Sequence, residues 1–61
     1  MPIVQIDMIE GRTEEQKRSL ARNITDAVVE SVSCKPEVVK VIIRELKKEH
    51  YAEGGVLYKD R

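Results

Sequence analysis

The residue in this sequence with the clearest potential for chemistry is Pro2, which follows the initiator Met1. Removal of Met1, which a small second residue favours, would turn the ring nitrogen of Pro2 into a free secondary amine that can accept and donate protons. The ring fixes φ and with it the direction of the nitrogen lone pair. Chain termini usually fray, but Pro2 leads into an apolar segment, so sheet pairing would hold the amine. The alternative interpretation is that Pro2 only begins an edge strand, where proline is tolerated.

Two other residues with chemical potential lack partners in the sequence. Cys34 is the only cysteine and His50 the only histidine. No histidine or asparagine partner signature accompanies Cys34, which argues against a nucleophile. One cysteine and one histidine also cannot supply the usual four ligands of a structural zinc. We therefore expect neither a metal nor a cofactor, and interpret both residues as structural or exposed.

The segments that must position Pro2 predict a β-α-β unit. Ile3–Ile9 interleaves β-forming and polar residues, as a strand does. Thr13, followed three residues later by Gln16, predicts a capping box and a helix from about Glu14 to about Val32. Val38–Leu46 is predicted as a second strand, and its nearly continuous apolar centre is typical of burial on both faces. Strand, helix and strand in this order predict parallel pairing with a right-handed crossover.

The remaining segments read as connections and a tail. Pro36 ends the helix because it disfavours a helical residue before it. Gly54-Gly55, between two short apolar stretches, predicts a hairpin within Tyr51–Tyr58. Lys59–Arg61 is expected to fray. The charged helix residues that lie off its apolar stripe are expected to face solvent; they are Lys17, Arg18, Arg22, Asp26 and Glu30.

Length and composition predict a small protein that associates with copies of itself. Its 61 residues form a single domain over residues 1–61, and a domain this short needs support from disulfides, a metal or oligomerisation. The single cysteine excludes an internal disulfide. One helix covers only one face of a two-stranded sheet, so the face that carries Ile42 needs another cover, most simply a second copy.

Charge and hydropathy exclude two classes of partner. Lys+Arg and Asp+Glu are balanced at 11 each, whereas a nucleic-acid-binding protein usually shows a basic excess. No segment approaches the length of a membrane span, and the N-terminal segment is not a signal peptide. With a lone thiol, the expected location is the cytoplasm.

Several short segments, taken in order, resemble the 4-oxalocrotonate tautomerase family. They are Pro2, Glu10-Gly11-Arg12 with Thr13, Glu15-Gln16-Lys17, Val41-Ile42-Ile43, and His50-Tyr51 before Gly54-Gly55. Each segment is weak by itself, but the ordered set spans nearly the whole chain. The resemblance implies an α+β fold, in which a β-α-β unit with a C-terminal hairpin dimerises into a four-stranded sheet. Dimers of this family commonly assemble into hexamers.

The resemblance also implies roles for individual residues. Pro2 would be a general base that moves a proton between a dienol oxygen and a carbon of the substrate, which requires an amine with a pKa near working pH. Arg12 matches the arginine that binds a substrate carboxylate. Lys40 stands where the best-studied members carry a second arginine, which draws electrons toward the carbonyl oxygen. Lysine keeps the charge but lacks the guanidinium fork.

Two further residues are candidates for substrate contact. Strand alternation puts Arg44 on the same face as Lys40, so Arg44 could contribute in its place. Tyr51 stands where family members carry an aromatic wall residue, usually phenylalanine. Its ring could exclude water and its hydroxyl could donate to a substrate oxygen, while simple packing is the alternative.

The sequence thus predicts a homo-oligomeric isomerase, most simply a hexamer. It would interconvert the enol and keto forms of a small unsaturated 2-oxo acid without cofactor or metal. A second hypothesis is a related activity of the same superfamily, dehalogenation or decarboxylation of a small acid, with cationic Pro2 as the acid. Two non-enzymatic hypotheses are an oligomeric assembly module without catalysis and a protein that binds small acids without turnover.

Overall fold

The computed structural model describes residues 1–61 and contains one helix and four strands. In chain order they are β1 (Ile3–Ile9), α1 (Glu14–Val32), β2 (Lys40–Leu46), β3 (Ala52–Glu53) and β4 (Val56–Leu57). Short 3₁₀ turns cover Pro36–Val38, Lys48–His50 and Tyr58–Asp60. No helix combines the length and the apolar character needed to cross a membrane. The predicted β-α-β unit with a C-terminal hairpin is confirmed.

The sheet of β1 and β2 is parallel, and its register sets which side chains share a face. Ile3 pairs with Lys40 at one end and Ile9 with Leu46 at the other. The helix-covered face carries five half-buried apolar residues, which are Val4, Ile6, Met8, Val41 and Ile43. The opposite face is open. Ile3 is 60% exposed and Ile42 is 41% exposed there, and no residue of the single chain is fully buried.

Helix α1 begins and ends at local signals. At its start the Thr13 hydroxyl accepts from the Gln16 N–H at 3.1 Å, and the Gln16 side chain accepts from the Thr13 N–H at 2.9 Å. These bonds satisfy two N–H groups that a helix start leaves free. At its end Ser33 adopts a left-handed conformation with φ of 58°, and its N–H donates to the Val29 carbonyl. The predicted helix bounds are confirmed.

The second strand begins later than the sequence predicts. Val38 and Val39 donate their N–H groups to the carbonyls of Lys35 and Pro36, at 3.2 and 3.1 Å. These bonds form the 3₁₀ turn at Pro36, so the two N–H groups are not available for sheet pairing. The strand therefore starts at Lys40, two residues after the predicted start at Val38.

Two predictions about charged segments are wrong. Lys17 does not face solvent with the other helix charges, because its ammonium bonds the Glu45 carboxylate of β2 at 2.8 Å and is only 29% exposed. The last residues do not fray, because Tyr58–Asp60 forms a turn and Arg61 pairs with Glu53 at 2.6 Å. Both contacts join residues that no local pattern links.

Candidate active site

Pro2 is held at the start of the sheet by a backbone hydrogen bond. It is half-buried, and its carbonyl oxygen accepts from the Lys40 N–H at 2.9 Å. This bond continues the β1–β2 pairing by one residue. It holds the Pro2 carbonyl, which is two covalent bonds away from the ring nitrogen. Met1 is 80% exposed, and while it is attached the Pro2 nitrogen is an amide with no basic lone pair. Removal of Met1 would expose a secondary amine at a fixed position.

Lys40 and Arg44 both lie on the open face of β2, as strand alternation predicts. Lys40 is the first residue of the strand and is exposed. Arg44 makes a two-pronged ion pair with Asp7 on β1, at 2.9 and 3.3 Å. Arg44 lies four positions after Lys40, which is about 13 Å along the strand. The side chain of Arg44 is thus paired with Asp7. It lies well away from the end of the sheet where Pro2 and Lys40 are hydrogen-bonded.

Arg12 lies in the short connection between β1 and α1. It is exposed and takes part in none of the ion pairs of the chain. Gly11 before it has a φ of 121°, which a residue with a side chain rarely adopts. The seven residues of β1 place Arg12 more than about 20 Å from Pro2 of the same chain. The guanidinium is free to bind an anion, but not at the Pro2 of its own chain.

Tyr51 stands between the 3₁₀ turn at Lys48–His50 and the hairpin. Its hydroxyl donates to the Glu53 carboxylate at 2.6 Å, and its ring meets that of Tyr58 edge to face, with centroids 6.4 Å apart. The hydrogen bond to Glu53 raises the pKa of Tyr51. The same bond, with the nearby Arg61 guanidinium, lowers the pKa of Glu53.

Glu53 and Arg61 are the residues near the predicted site that sequence reasoning missed. One signal was present for Glu53: residues two apart in extended chain project to the same side, so Tyr51 and Glu53 were candidates for contact. No signal was present for Arg61. Its contact depends on the turn at Tyr58–Asp60, which brings the last residue back to the hairpin.

The predicted site residues fall into two groups at opposite ends of the sheet. Pro2 and Lys40 lie where the strands begin, while Arg12 and Tyr51 follow the points where β1 and β2 end. Glu10 joins the two segments that follow β1 and β2. Its N–H donates to the Leu46 carbonyl, and its carboxylate accepts from the Lys48 N–H. A single chain therefore does not bring these two groups of predicted site residues together.

Other features of the surface lie apart from these residues. A shallow groove of about 320 Å³ runs over the first turns of α1, lined by Glu14, Lys17, Arg18 and Ala21. None of the predicted site residues lines it. No three side chains of the metal-ligating types His, Cys, Asp and Glu are grouped where they could hold an ion.

Comparison with known proteins gives a consistent class. Residues 2–61 match the family model described as tautomerase enzyme. The 2-hydroxymuconate tautomerase of Bacillus subtilis is 47% identical over 55 residues, which cover 90% of this chain and 89% of the relative. The crystal structure of YwhB, described as a homologue of 4-oxalocrotonate tautomerase, superimposes with a TM-score of 0.92 at 43% identity, covering 98% of both chains.

A second solved structure has the same fold and is described as a heterohexamer. It is a heterohexamer 4-oxalocrotonate tautomerase from Chloroflexus aurantiacus, with a TM-score of 0.91 at 33% identity, covering 98% of this chain and 97% of that chain. The fold and these relatives define an isomerase of the keto–enol tautomerase type. The chain belongs to the tautomerase family, as its sequence motifs predicted.

Proposed function

We propose that this protein interconverts the enol and keto forms of a small unsaturated 2-oxo acid, with Pro2 as the general base once Met1 has been removed. The observation that carries this proposal is the bond from the Lys40 N–H to the Pro2 carbonyl, because it fixes the position of a terminal amine that would otherwise fray. The family match covers residues 2–61, so Pro2 belongs to the matched region.

The reaction needs only one proton carrier. The neutral Pro2 amine accepts the proton of the enol hydroxyl, and the oxygen electron pair forms the carbonyl. The displaced π electrons extend to a conjugated carbon, which takes the proton back from the Pro2 ammonium. No electrons are gained or lost overall, so the cycle uses no redox partner. The amine must be largely neutral near pH 7, and cations nearby together with exclusion of water favour that form.

Arg12 and Lys40 supply the cations in this proposal. The unpaired Arg12 guanidinium can hold a substrate carboxylate through two parallel hydrogen bonds. Lys40 presents an ammonium that stabilises negative charge on the carbonyl oxygen. The Bacillus subtilis relative is named for 2-hydroxymuconate, an unsaturated 2-hydroxy acid and hence the enol of a 2-oxo acid. This name supports the substrate class and leaves the particular acid open.

We further propose that the site forms between copies of the chain. Pro2 and Arg12 of one chain are more than about 20 Å apart, and an antiparallel neighbour brings Arg12 of the partner subunit to Pro2. The open sheet face, with Ile3 and Ile42 exposed, supports burial against further copies. The structural neighbour from Chloroflexus aurantiacus is a heterohexamer. We propose that this protein forms a homohexamer and that it is located in the cytoplasm.

The experiment that tests the role of Pro2 compares two forms of the protein, one trimmed and one retaining Met1, each verified by mass. The trimmed form is expected to tautomerise 2-hydroxymuconate or phenylenolpyruvate. The form retaining Met1 is expected to be folded but nearly inactive, because its Pro2 nitrogen is an amide and Met1 projects into the substrate space. An electrophilic substrate analogue should label the Pro2 nitrogen in the trimmed form only.

The control is Pro2→Ala, which after processing carries a primary amine and should keep a fraction of the activity. Equal activity in the trimmed and untrimmed forms would remove Pro2 from the mechanism. The pH profile separates base from acid catalysis: activity that grows as the amine loses its proton supports the general base, whereas activity that requires the ammonium supports the related acid chemistry.

A further inference from the structure

The C-terminal segment, Tyr51–Arg61, contains a hydrogen-bonded cluster of Tyr51, Glu53 and Arg61. The Tyr51 hydroxyl donates to one carboxylate oxygen of Glu53 at 2.6 Å, and the other oxygen accepts from the Arg61 guanidinium at 2.6 Å. A phenol has a single proton to donate. A hydroxyl that donates to Glu53 therefore has no proton left for a substrate oxygen.

The backbone and the ring of Tyr51 also have contacts with a neighbouring residue. Its carbonyl oxygen accepts from the Tyr58 N–H at 2.7 Å, and the two tyrosine rings are in edge-to-face contact. The tight turn that returns the chain depends on Gly54 and Gly55, whose φ values of 58° and 82° suit glycine. The backbone, the ring and the hydroxyl of Tyr51 thus each have a partner within the C-terminal segment.

We propose that Glu53 is a positioning residue for Tyr51, and that Tyr51 serves the site through its ring and not through its hydroxyl. The inference rests on the proposed function in one respect, namely that Tyr51 lines the substrate site. A ring fixed in this way presents a rigid apolar wall, which suits the flat conjugated chain of an enol acid. Arg61 balances the charge of Glu53, which would otherwise repel an anionic substrate.

The contact itself can be tested by titration without any measurement of activity. The chain has two tyrosines and no tryptophan, so phenolate absorbance in a Tyr58→Phe background reports Tyr51 alone. We expect its midpoint to lie above the ordinary value of 10.0 and to fall when Glu53→Gln removes the negative charge. Glu49→Gln removes a carboxylate at the same sequence distance on the other side of Tyr51 and should leave the midpoint unchanged. An unchanged midpoint in Glu53→Gln would overturn the proposal.

The consequence for substrate is tested by kinetics on trimmed protein. Tyr51→Phe and Glu53→Ala are each expected to raise KM by about threefold with little change in kcat, because each loosens the ring through the same lost hydrogen bond. The double variant should be no worse than either single variant, since coupled residues are not additive. Glu53→Gln keeps an acceptor oxygen, so its KM should rise less than that of Glu53→Ala. Tyr51→Ala removes the wall and should cost at least about tenfold in kcat/KM.

Two results would contradict the proposal. A tenfold or larger fall in kcat for Tyr51→Phe, with Glu53→Ala unaffected, would show that the hydroxyl serves the substrate. Full activity of Tyr51→Ala would place Tyr51 outside the site. Failure of the proposed function is distinguishable from both, because it would leave the trimmed wild type inactive while the titration still decides the contact between Tyr51 and Glu53.

Discussion

The two ends of the β1–β2 sheet have different chemical character. The end where the strands begin carries Pro2 and Lys40, joined by a backbone hydrogen bond. The end where they finish leads into Arg12 and, after the 3₁₀ turn, into Tyr51. The first end holds the proposed proton carrier, and the second holds the proposed carboxylate ligand and an aromatic wall.

This separation is the reason why the site is proposed to form between copies of the chain. Parallel strands begin at one end of the sheet and finish at the other, so β1 keeps the residue before it apart from the residues after it. In the proposed oligomer, an antiparallel neighbour would bring the two unlike ends together.

The largest effect is expected from mixing two defective forms. Chains that retain Met1 lack the base but keep Arg12, whereas trimmed Arg12→Ala chains keep the base. After the two are unfolded and refolded together, some sites combine a free Pro2 with an intact Arg12 of the partner subunit. Activity on a dicarboxylate at low concentration should therefore reappear from nearly inactive parents.

The control for this mixture uses chains that retain Met1 and also carry Arg12→Ala, which can offer no intact Arg12. No recovery is expected with them. If the first mixture showed no recovered activity although co-assembly had been verified, Pro2 and Arg12 would not act together across two chains. The proposal that the two ends of the sheet meet between copies would then be wrong.

The second prediction concerns the surface that brings the ends together. Ile42→Asp, on the open sheet face, is expected to abolish assembly and to unfold the chain at micromolar concentration, because assembly would bury an unpaired charge. Val38→Asp is a matched control, since Val38 is 39% exposed against 41% for Ile42 but lies off the sheet. Sedimentation and circular dichroism measure both properties. A folded wild-type monomer in sedimentation would contradict the architecture.

A third, smaller effect is expected at the end that binds substrate. Arg12→Ala should raise KM for a dicarboxylate by roughly tenfold to a hundredfold, because a charge-assisted hydrogen bond contributes about 1.5–3 kcal/mol. The effect on a monocarboxylate should be smaller. Arg22→Ala, on the exposed side of α1, is the control. It should leave KM unchanged for both the dicarboxylate and the monocarboxylate. Equal losses on both substrates would assign Arg12 a structural role.

The smallest effect is expected at the other end, from Lys40→Arg. A guanidinium keeps the charge and adds a fork of donors, so turnover should be unchanged or modestly improved if residue 40 faces the substrate carbonyl. Lys47→Arg provides the same exchange at an exposed position outside the strands. A large fall in kcat for Lys40→Arg alone would contradict this expectation and would show that the pocket is shaped for an ammonium.

The elements of the fold that the sequence predicts well are those set by neighbours in the chain. The capping box of Thr13 and Gln16 fixes the start of α1, and the alternation of Ile3–Ile9 fixes β1. The start of β2 differs from its prediction because the bonds of Val38 and Val39 to Lys35 and Pro36 compete with the sheet. The turn is a local structure whereas the sheet joins distant segments, and the sequence does not show which of the two takes these N–H groups.

The parts that the sequence does not predict depend on contacts between distant segments. Lys17 and Glu45 lie 28 residues apart, so a helix charge that bonds to the sheet looks like any solvent-facing lysine. Arg44 is a candidate by alternation alone, and only the register of the parallel strands pairs it with Asp7. Of the proposed site, Pro2 is a candidate because of its own chemistry, but its catalytic role depends on the family resemblance, as do the assignments of Arg12, Lys40 and Tyr51.

The short connection that carries Arg12 has a consequence for affinity. Leu46 binds the Glu10 N–H on one side, the Thr13 cap starts the helix on the other, and Gly11 adopts its positive φ between them. The backbone around Arg12 therefore loses its conformational entropy when the protein folds, before any substrate arrives. In the proposed site, a carboxylate that binds Arg12 would have only the rotamers of one side chain left to order, at a cost of about 2 kcal/mol or less. Part of the affinity for the proposed substrate would thus be set by the same free energy that folds the end of β1.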